Sequence, residues 1–204
     1  MDLRECEQSV LQDMCSRYHG YGGAGKVFSY VFAVYENEVP VASFGWKPPA
    51  PGAAKSVYGK DPGLVLSLSR MVAVPKTERR LKHISKPLKK QMKTLIDRSR
   101  WPVLVTYSDE GQGHTGYVYQ CSGWKPTKRS KSYFWEDGDG VRTSTYKAGK
   151  TVNLGSPSGV TYLQRWEHWI HPDPSWVAFC HGWRKVATGK TWRNGSPAFR
   201  WEKL

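Results

Sequence analysis

Long apolar runs, acidic residues and paired cysteines are all scarce in this sequence, and each shortage excludes something. Only 39% of the 204 residues are hydrophobic. No stretch of eighteen apolar residues occurs, so no transmembrane helix is expected. The opening MDLRECEQSVLQDMC carries charges where a secretory signal needs an apolar segment, which points to the cytoplasm. The four cysteines, Cys6, Cys15, Cys121 and Cys180, have no C-x-x-C spacing. They read as free thiols, with neither a disulfide framework nor a zinc ribbon. No internal repeat of 20–50 residues is present, so a solenoid or propeller is not expected.

What the chain does have is aromatic mass and positive charge. Phe, Trp and Tyr make up 13%, with ten Trp and eleven Tyr, enough to build a core despite few aliphatics. The length suits one domain, or one domain with an appendage. Lys and Arg number 31 against 17 Asp and Glu, a formal +14. Residues 76–100 hold ten basic side chains against Glu78 and Asp97, and residues 180–204 hold six against Glu202. Charge runs are often just solvated faces, but clustering of this kind on a basic chain points to a polyanion partner.

Hydrophobic periodicity gives the element order. Residues 3–18 read as a helix, followed by a glycine-rich stretch at 20–25. Residues 27–35 and 39–46 read as strands joined by Glu36-Asn37-Glu38, residues 47–63 as a loop, and 64–74 as a central strand. A helix is expected over 86–98, N-capped by Ser85 with Pro87 in its first turn. Residues 103–107 read as a buried strand, 108–113 as a turn, 114–124 as a short helix, and 132–135 with 141–146 as a hairpin. The expected fold is α/β: a mixed central sheet of about six strands flanked by helices over 1–146, then a Trp-rich, irregular, basic extension over 147–204.

That order resembles the GNAT acyltransferase superfamily. Leu68-Ser69-Arg70, the helix opening at Ser85, and Val-Thr-Tyr-Ser-Asp109 followed by Gly113-His114-Thr115-Gly116-Tyr117-Val118-Tyr119 and Gly123-Trp124 narrow the resemblance to the Mom family of phage Mu-like DNA-modification proteins, over residues 15–146. The resemblance implies modification of adenine in double-stranded DNA to N6-(carbamoylmethyl)adenine, which protects phage DNA from restriction in the host cytoplasm. It also implies an acyl donor: acyl-CoA, or a glycyl donor such as glycyl-tRNA, in which case tRNA is a second partner. Glycyl transfer to N6 followed by rearrangement would yield the carbamoylmethyl group. The sequence departs from the superfamily in one place. Its phosphate loop normally carries glycines, whereas Val74-Pro75-Lys76-Thr77-Glu78-Arg79-Arg80 has none. Lys76, Arg79, Arg80, Ser85 and Lys86 are the candidates for holding donor phosphates, and the basic tail for gripping DNA.

A base must leave the duplex to be modified, and aromatic side chains can receive it. Tyr21, Tyr35, Tyr107 and Tyr117 are candidate substrate contacts, while Trp46 and Trp124 are better explained as core. Asp109, at a strand end, is a candidate proton acceptor, or alternatively the cap of the turn before Gly111. His114 can serve as a neutral base at a helix start. Tyr119, by resemblance, would protonate the leaving group, or it is a buried core tyrosine. His19 and Arg70 complete the set, because an Arg in an apolar strand needs Asp109 or a substrate anion. His168, His171, Cys180 and His181 lack a metal-site framework, and no metal is expected. A protein or small-amine acetyltransferase and a non-catalytic DNA-binding protein remain the alternatives.

Overall fold

The computed structural model describes residues 1–19, 25, 27–136, 142–143, 146–147, 150–151, 156–191, 195 and 197–204. The chain opens not with a helix at residue 3 but with β1 (Asp2–Glu5), where Leu3 is buried in register with Val34. Helix α1 (Gln8–Tyr18) follows and buries Leu11, Met14 and Cys15. Strands β2 (Tyr30–Glu36) and β3 (Val39–Lys47) form the expected hairpin. Asn37 and Glu38 sit at φ 51° and 62°. Two left-handed residues twist a tight turn the way the flanking strands twist.

The stretch read as a loop contains α2 (Pro51–Val57), where Pro51 takes the first-turn position that lacks an amide partner anyway. Next come β4 (Val65–Ala73) and α3 (Ser85–Lys90), the latter continued by a π-helical turn over Gln91–Leu95. Ser85 does not cap α3: Ile84 holds the cap position, and no side chain bonds there. Strand β5 (Val103–Asp109) leads to α4 (Tyr117–Cys121), so His114 lies in the loop before the helix. The twelve-residue β6 (Lys125–Glu136) pairs with β7 (Arg142–Thr143), and β8 (Tyr146–Lys147) pairs with β9 (Lys150–Thr151). The turn expected around Asp137–Gly140 lies outside the described residues.

After residue 155 the chain is more regular than its composition suggests. Strand β10 (Gly159–Trp169) is followed by α5 (Pro174–Cys180) and a hairpin of β11 (Trp183–Thr191) and β12 (Pro197–Lys203). β10 is part of the main sheet, whose order is β1-β2-β3-β4-β5-β10-β6-β7. It pairs antiparallel with β5 on one side and with β6 on the other. β4 and β5 are parallel.

Helices α3 and α4 cover one face of the sheet, over a core that includes Phe32, Phe44, Trp46, Leu66 and Leu104. On the opposite face α1 packs on Val31 and Val72, while α2, α5 and the terminal hairpin cover Val65, Val103 and Val105. Trp46 and Trp124 are core, stacked at 6.3 Å, with their indole N–H groups on Gln91 Oε1 at 2.9 Å and Met92 sulfur at 3.1 Å.

α1 lies directly on β3 at Gly45, where an added Cβ would come within 2.6 Å of the Phe28 ring and also strike Leu11. Gly45→Ala is therefore expected to lift α1 and to destabilise the fold by about 1–3 kcal/mol, the usual range for overpacking. Urea unfolding measures this, and an unchanged midpoint would show that α1 is not seated as described.

Candidate active site

β4 and β5 hydrogen-bond over only three register pairs, Val65 with Val103, Leu66 with Leu104 and Ser67 with Val105. Beyond them the strands diverge. The Thr106 hydroxyl bridges the split, donating to the Leu68 carbonyl at 3.0 Å. On its other side β4 shifts register against β3 between Arg70 and Leu68, leaving Ser69 as an extra residue. A bulge of this kind re-aims the next side chain. The wedge opens into a cavity of about 710 Å³, lined among others by His19, Lys47, Arg70, Thr106, Asp109, His114 and Tyr119. Its volume is in the range of a small-molecule site.

Five catalytic candidates from the sequence meet in this cavity: His19, Arg70, Asp109, His114 and Tyr119. His19 follows the last turn of α1. Burial, the Arg70 guanidinium and His114 together lower its pKa to about 4. It is therefore a neutral imidazole at pH 7. Tyr119 is 8% exposed on α4 and interacts with Thr106. Burial raises its pKa, so the phenol keeps its proton. The cavity thus presents a proton acceptor from the α1 side and a proton donor from the α4 side.

Arg70 does not pair with Asp109. Its Nη1 donates to the Ser69 carbonyl at 2.9 Å, and its buried Nε has no hydrogen-bond partner among the described residues. Leaving a charged donor unsatisfied is costly, and a bound anion or carbonyl oxygen would relieve that cost. Lys47 also lines the cavity, its pKa lowered by burial and by Arg70. Asp109 Oδ1 accepts from the Gly111 amide at 3.0 Å and from the Thr161 hydroxyl. It caps the turn after β5 and ties that turn to β10, at the cavity wall.

Gly116 explains the glycine in the His-Thr-Gly run. It caps α4 at φ 73°, and any Cβ there would strike the Trp166 ring. That indole donates to the Ser108 hydroxyl at 2.9 Å, fixing α4 against β5 and β10. Sequence reasoning missed Thr106, Trp166, Thr161 and Lys47, and the irregular composition after residue 147 gave no signal for the second and third.

The other candidates divide. Tyr107 and Tyr117 line the cavity. Tyr107 interacts with Arg165, and Tyr117 is 67% exposed beside Cys121. Tyr35 is not among the lining residues; its ring lies under the Arg4 guanidinium at 4.0 Å. Tyr21 lies outside the described residues. None of Lys76, Arg79, Arg80, Ser85 and Lys86 lines the cavity. Arg79 folds back on the Val74 carbonyl at 2.9 Å. The Arg80 and Leu81 amides are both taken by the Glu36 carboxylate, at 2.8 and 2.6 Å. At those two positions the loop already holds an internal anion, which does not fit a donor pyrophosphate cradled there by main-chain amides. His168 bonds the Gly123 carbonyl and His171 the Asp173 amide.

The Mom protein family matches residues 1–165. No curated protein matches the sequence. Among solved structures, an N-acetyltransferase from Staphylococcus aureus Mu50 aligns over 83% of this chain and 98% of its own, with 12% identity and a TM-score of 0.51. A ribosomal-protein-alanine N-acetyltransferase from Brucella melitensis aligns over 83% and 99%, again with 12% identity and a TM-score of 0.51. The fold is that of the GNAT acetyltransferases. No helix among the described residues is long and apolar enough to cross a membrane.

A histidine that is neutral when folded and protonated when unfolded makes stability fall as pH drops. With a folded pKa of about 4 against an ordinary 6.5, the loss runs from near pH 6.5 down to about 4. His19→Gln is expected to flatten part of that slope in urea titrations at stepped pH. A slope identical to wild type would place the imidazole in solvent.

Proposed function

The chain belongs to the Mom protein family and has the GNAT acetyltransferase fold; from that premise we propose that it transfers an acyl group to the N6 amine of adenine in double-stranded phage DNA, leading to N6-(carbamoylmethyl)adenine and protection from restriction. The observation that carries this reading is a single cavity holding neutral His19, protonated Tyr119 and the under-satisfied Arg70. In this reading His19 takes a proton from the exocyclic amine as it attacks. Tyr119 returns one to the leaving group, and Arg70 steadies the oxygen that gains charge in between. The net +14 suits a DNA substrate.

The product named by the resemblance implies that the transferred group is glycyl. After transfer, adenine carries C6–NH–CO–CH2–NH2. The free amine attacks C6 to close a five-membered ring, and the original C6–N6 bond then breaks. This isomerisation loses no atoms and leaves C6–NH–CH2–CO–NH2. The activated glycine comes either as a thioester of the acyl-CoA type or as glycyl-tRNA. Because Glu36 occupies the loop amides at 80 and 81, neither donor's phosphates are assigned to them.

Expression in bacteria, followed by mass analysis of nucleosides from digested DNA, tests the reading. Wild type should yield the modified deoxyadenosine. Tyr119→Phe should lower the yield at least ~100-fold, as expected for losing a general acid, with unchanged thermal unfolding. With 15N on the adenine amine, the label should end in the terminal amide; label retained at C6 would sink the rearrangement. Unmodified DNA alongside newly acetylated protein would favour a protein acetyltransferase.

A further inference from the structure

The face of β6 and β10 beyond α4 is exposed, aromatic and basic, and no role above uses it. Register places Lys131 opposite Tyr162, Tyr133 opposite Val160 and Arg129 opposite Gln164, so these six share one face. Tyr133, Val160 and Tyr162 are 48%, 45% and 38% exposed, large for apolar groups on a folded sheet. The Arg129 guanidinium lies 3.8 Å over the Tyr162 ring, and the Lys131 ammonium 5.2 Å over Tyr133.

The charges differ in availability. Arg129 makes two 2.8 Å bonds to Glu110, in the turn that follows Asp109. That pairing neutralises it and holds it flat on Tyr162. Lys131 forms no ion pair among the described residues. Lysine on an edge strand can serve merely to keep another sheet from pairing there. Exposed tyrosines work against such protection, so an edge role does not account for the face. Tyr133 is also a cavity wall residue, which makes this face continuous with the site.

We propose that this face holds the DNA nucleotides unstacked around the target adenine, with Tyr133 and Tyr162 stacking bases and Lys131 meeting phosphate. The proposal rests on the adenine-modification reading. A base moved into the cavity leaves its neighbours unstacked at the mouth, and a row of tyrosines beside a free lysine is the chemistry that receives them. It relocates the DNA contact expected in the C-terminal basic tail to a strand continuous with the cavity.

Fluorescence anisotropy decides this with three labelled probes of one sequence: a paired duplex, the same duplex with a mismatched central adenine, and single-stranded RNA. Tyr133→Ser with Tyr162→Ser should weaken binding to the mismatched duplex about tenfold or more, leaving its salt slope unchanged. Lys131→Gln should lower that slope by about one. Tyr133→Phe with Tyr162→Phe keeps the rings and should bind like wild type, which separates stacking from misfolding. Wild-type affinity and slope in the serine and glutamine variants would overturn the proposal and leave adenine modification standing. So would a loss confined to RNA, or a loss seen only with Lys185→Gln and Arg200→Gln in the terminal hairpin. A wild-type protein with no affinity for either duplex would overturn the DNA reading itself.

Discussion

The site depends on two parallel strands that pair for three residues and then part. A sheet that stops pairing inside a protein strands its backbone polar groups, and buried carbonyls need partners. The Thr106 hydroxyl supplies one for Leu68, at 3.0 Å across the split. The same threonine interacts with Tyr119, so the group that stabilises the gap also touches the phenol proposed as the acid. Longer pairing of β4 and β5 would close the cavity. The split is sustainable because β10 satisfies the far edge of β5 along its whole length, from Val103 to Asp109.

Each wall of the wedge is set by a close approach that only glycine permits. Gly45 lets α1 rest on β3, which brings His19 to the cavity. Gly116 lets α4 start against Trp166, which sets Tyr119 one turn later. Burial then does the electrostatic work, lowering the affinity of His19 for a proton and raising that of Tyr119. Opposite shifts in one low-dielectric space give an acceptor and a donor at the same pH. Arg70 carries the cost of this environment, with a buried guanidinium nitrogen left unsatisfied among the described residues.

The strands β2 to β5 and the hairpin at Asn37-Glu38 are legible in the sequence because alternation and turn chemistry are local signals. β1 is not, because four charged and apolar residues before a helix read as its first turn. β10 is not, because GVTYLQRWEHW sits among Gly, Ser and Pro, and its place comes from being paired on both sides. His19 stood out in a glycine-rich loop, Arg70 inside an apolar strand, Asp109 at a strand end, and His114 and Tyr119 on the short helix expected after it. That they face one cavity depends on the bulge at Ser69 and on α1 reaching across β3, neither of which has a one-dimensional signature. The reading of Asp109 as the cap before Gly111 is the one its hydrogen bonds display.

A count of charges along a sequence does not place them against a site. The densest segment, 76–100, sits by a loop that is already ligated by Glu36, and Arg79 there turns inward to a main-chain carbonyl. Lys125, Lys128, Arg129 and Lys131 are fewer, but they lie on one extended strand. Only Arg129 among them is ion-paired within the described residues. The field felt by a polyanion is that of unneutralised charge on a surface it can reach. Lys131 of β6, its ammonium 5.2 Å over the ring of the cavity-wall residue Tyr133, is such a charge beside the site, whereas Lys76, Arg79, Arg80 and Lys86 are not among the residues that line it.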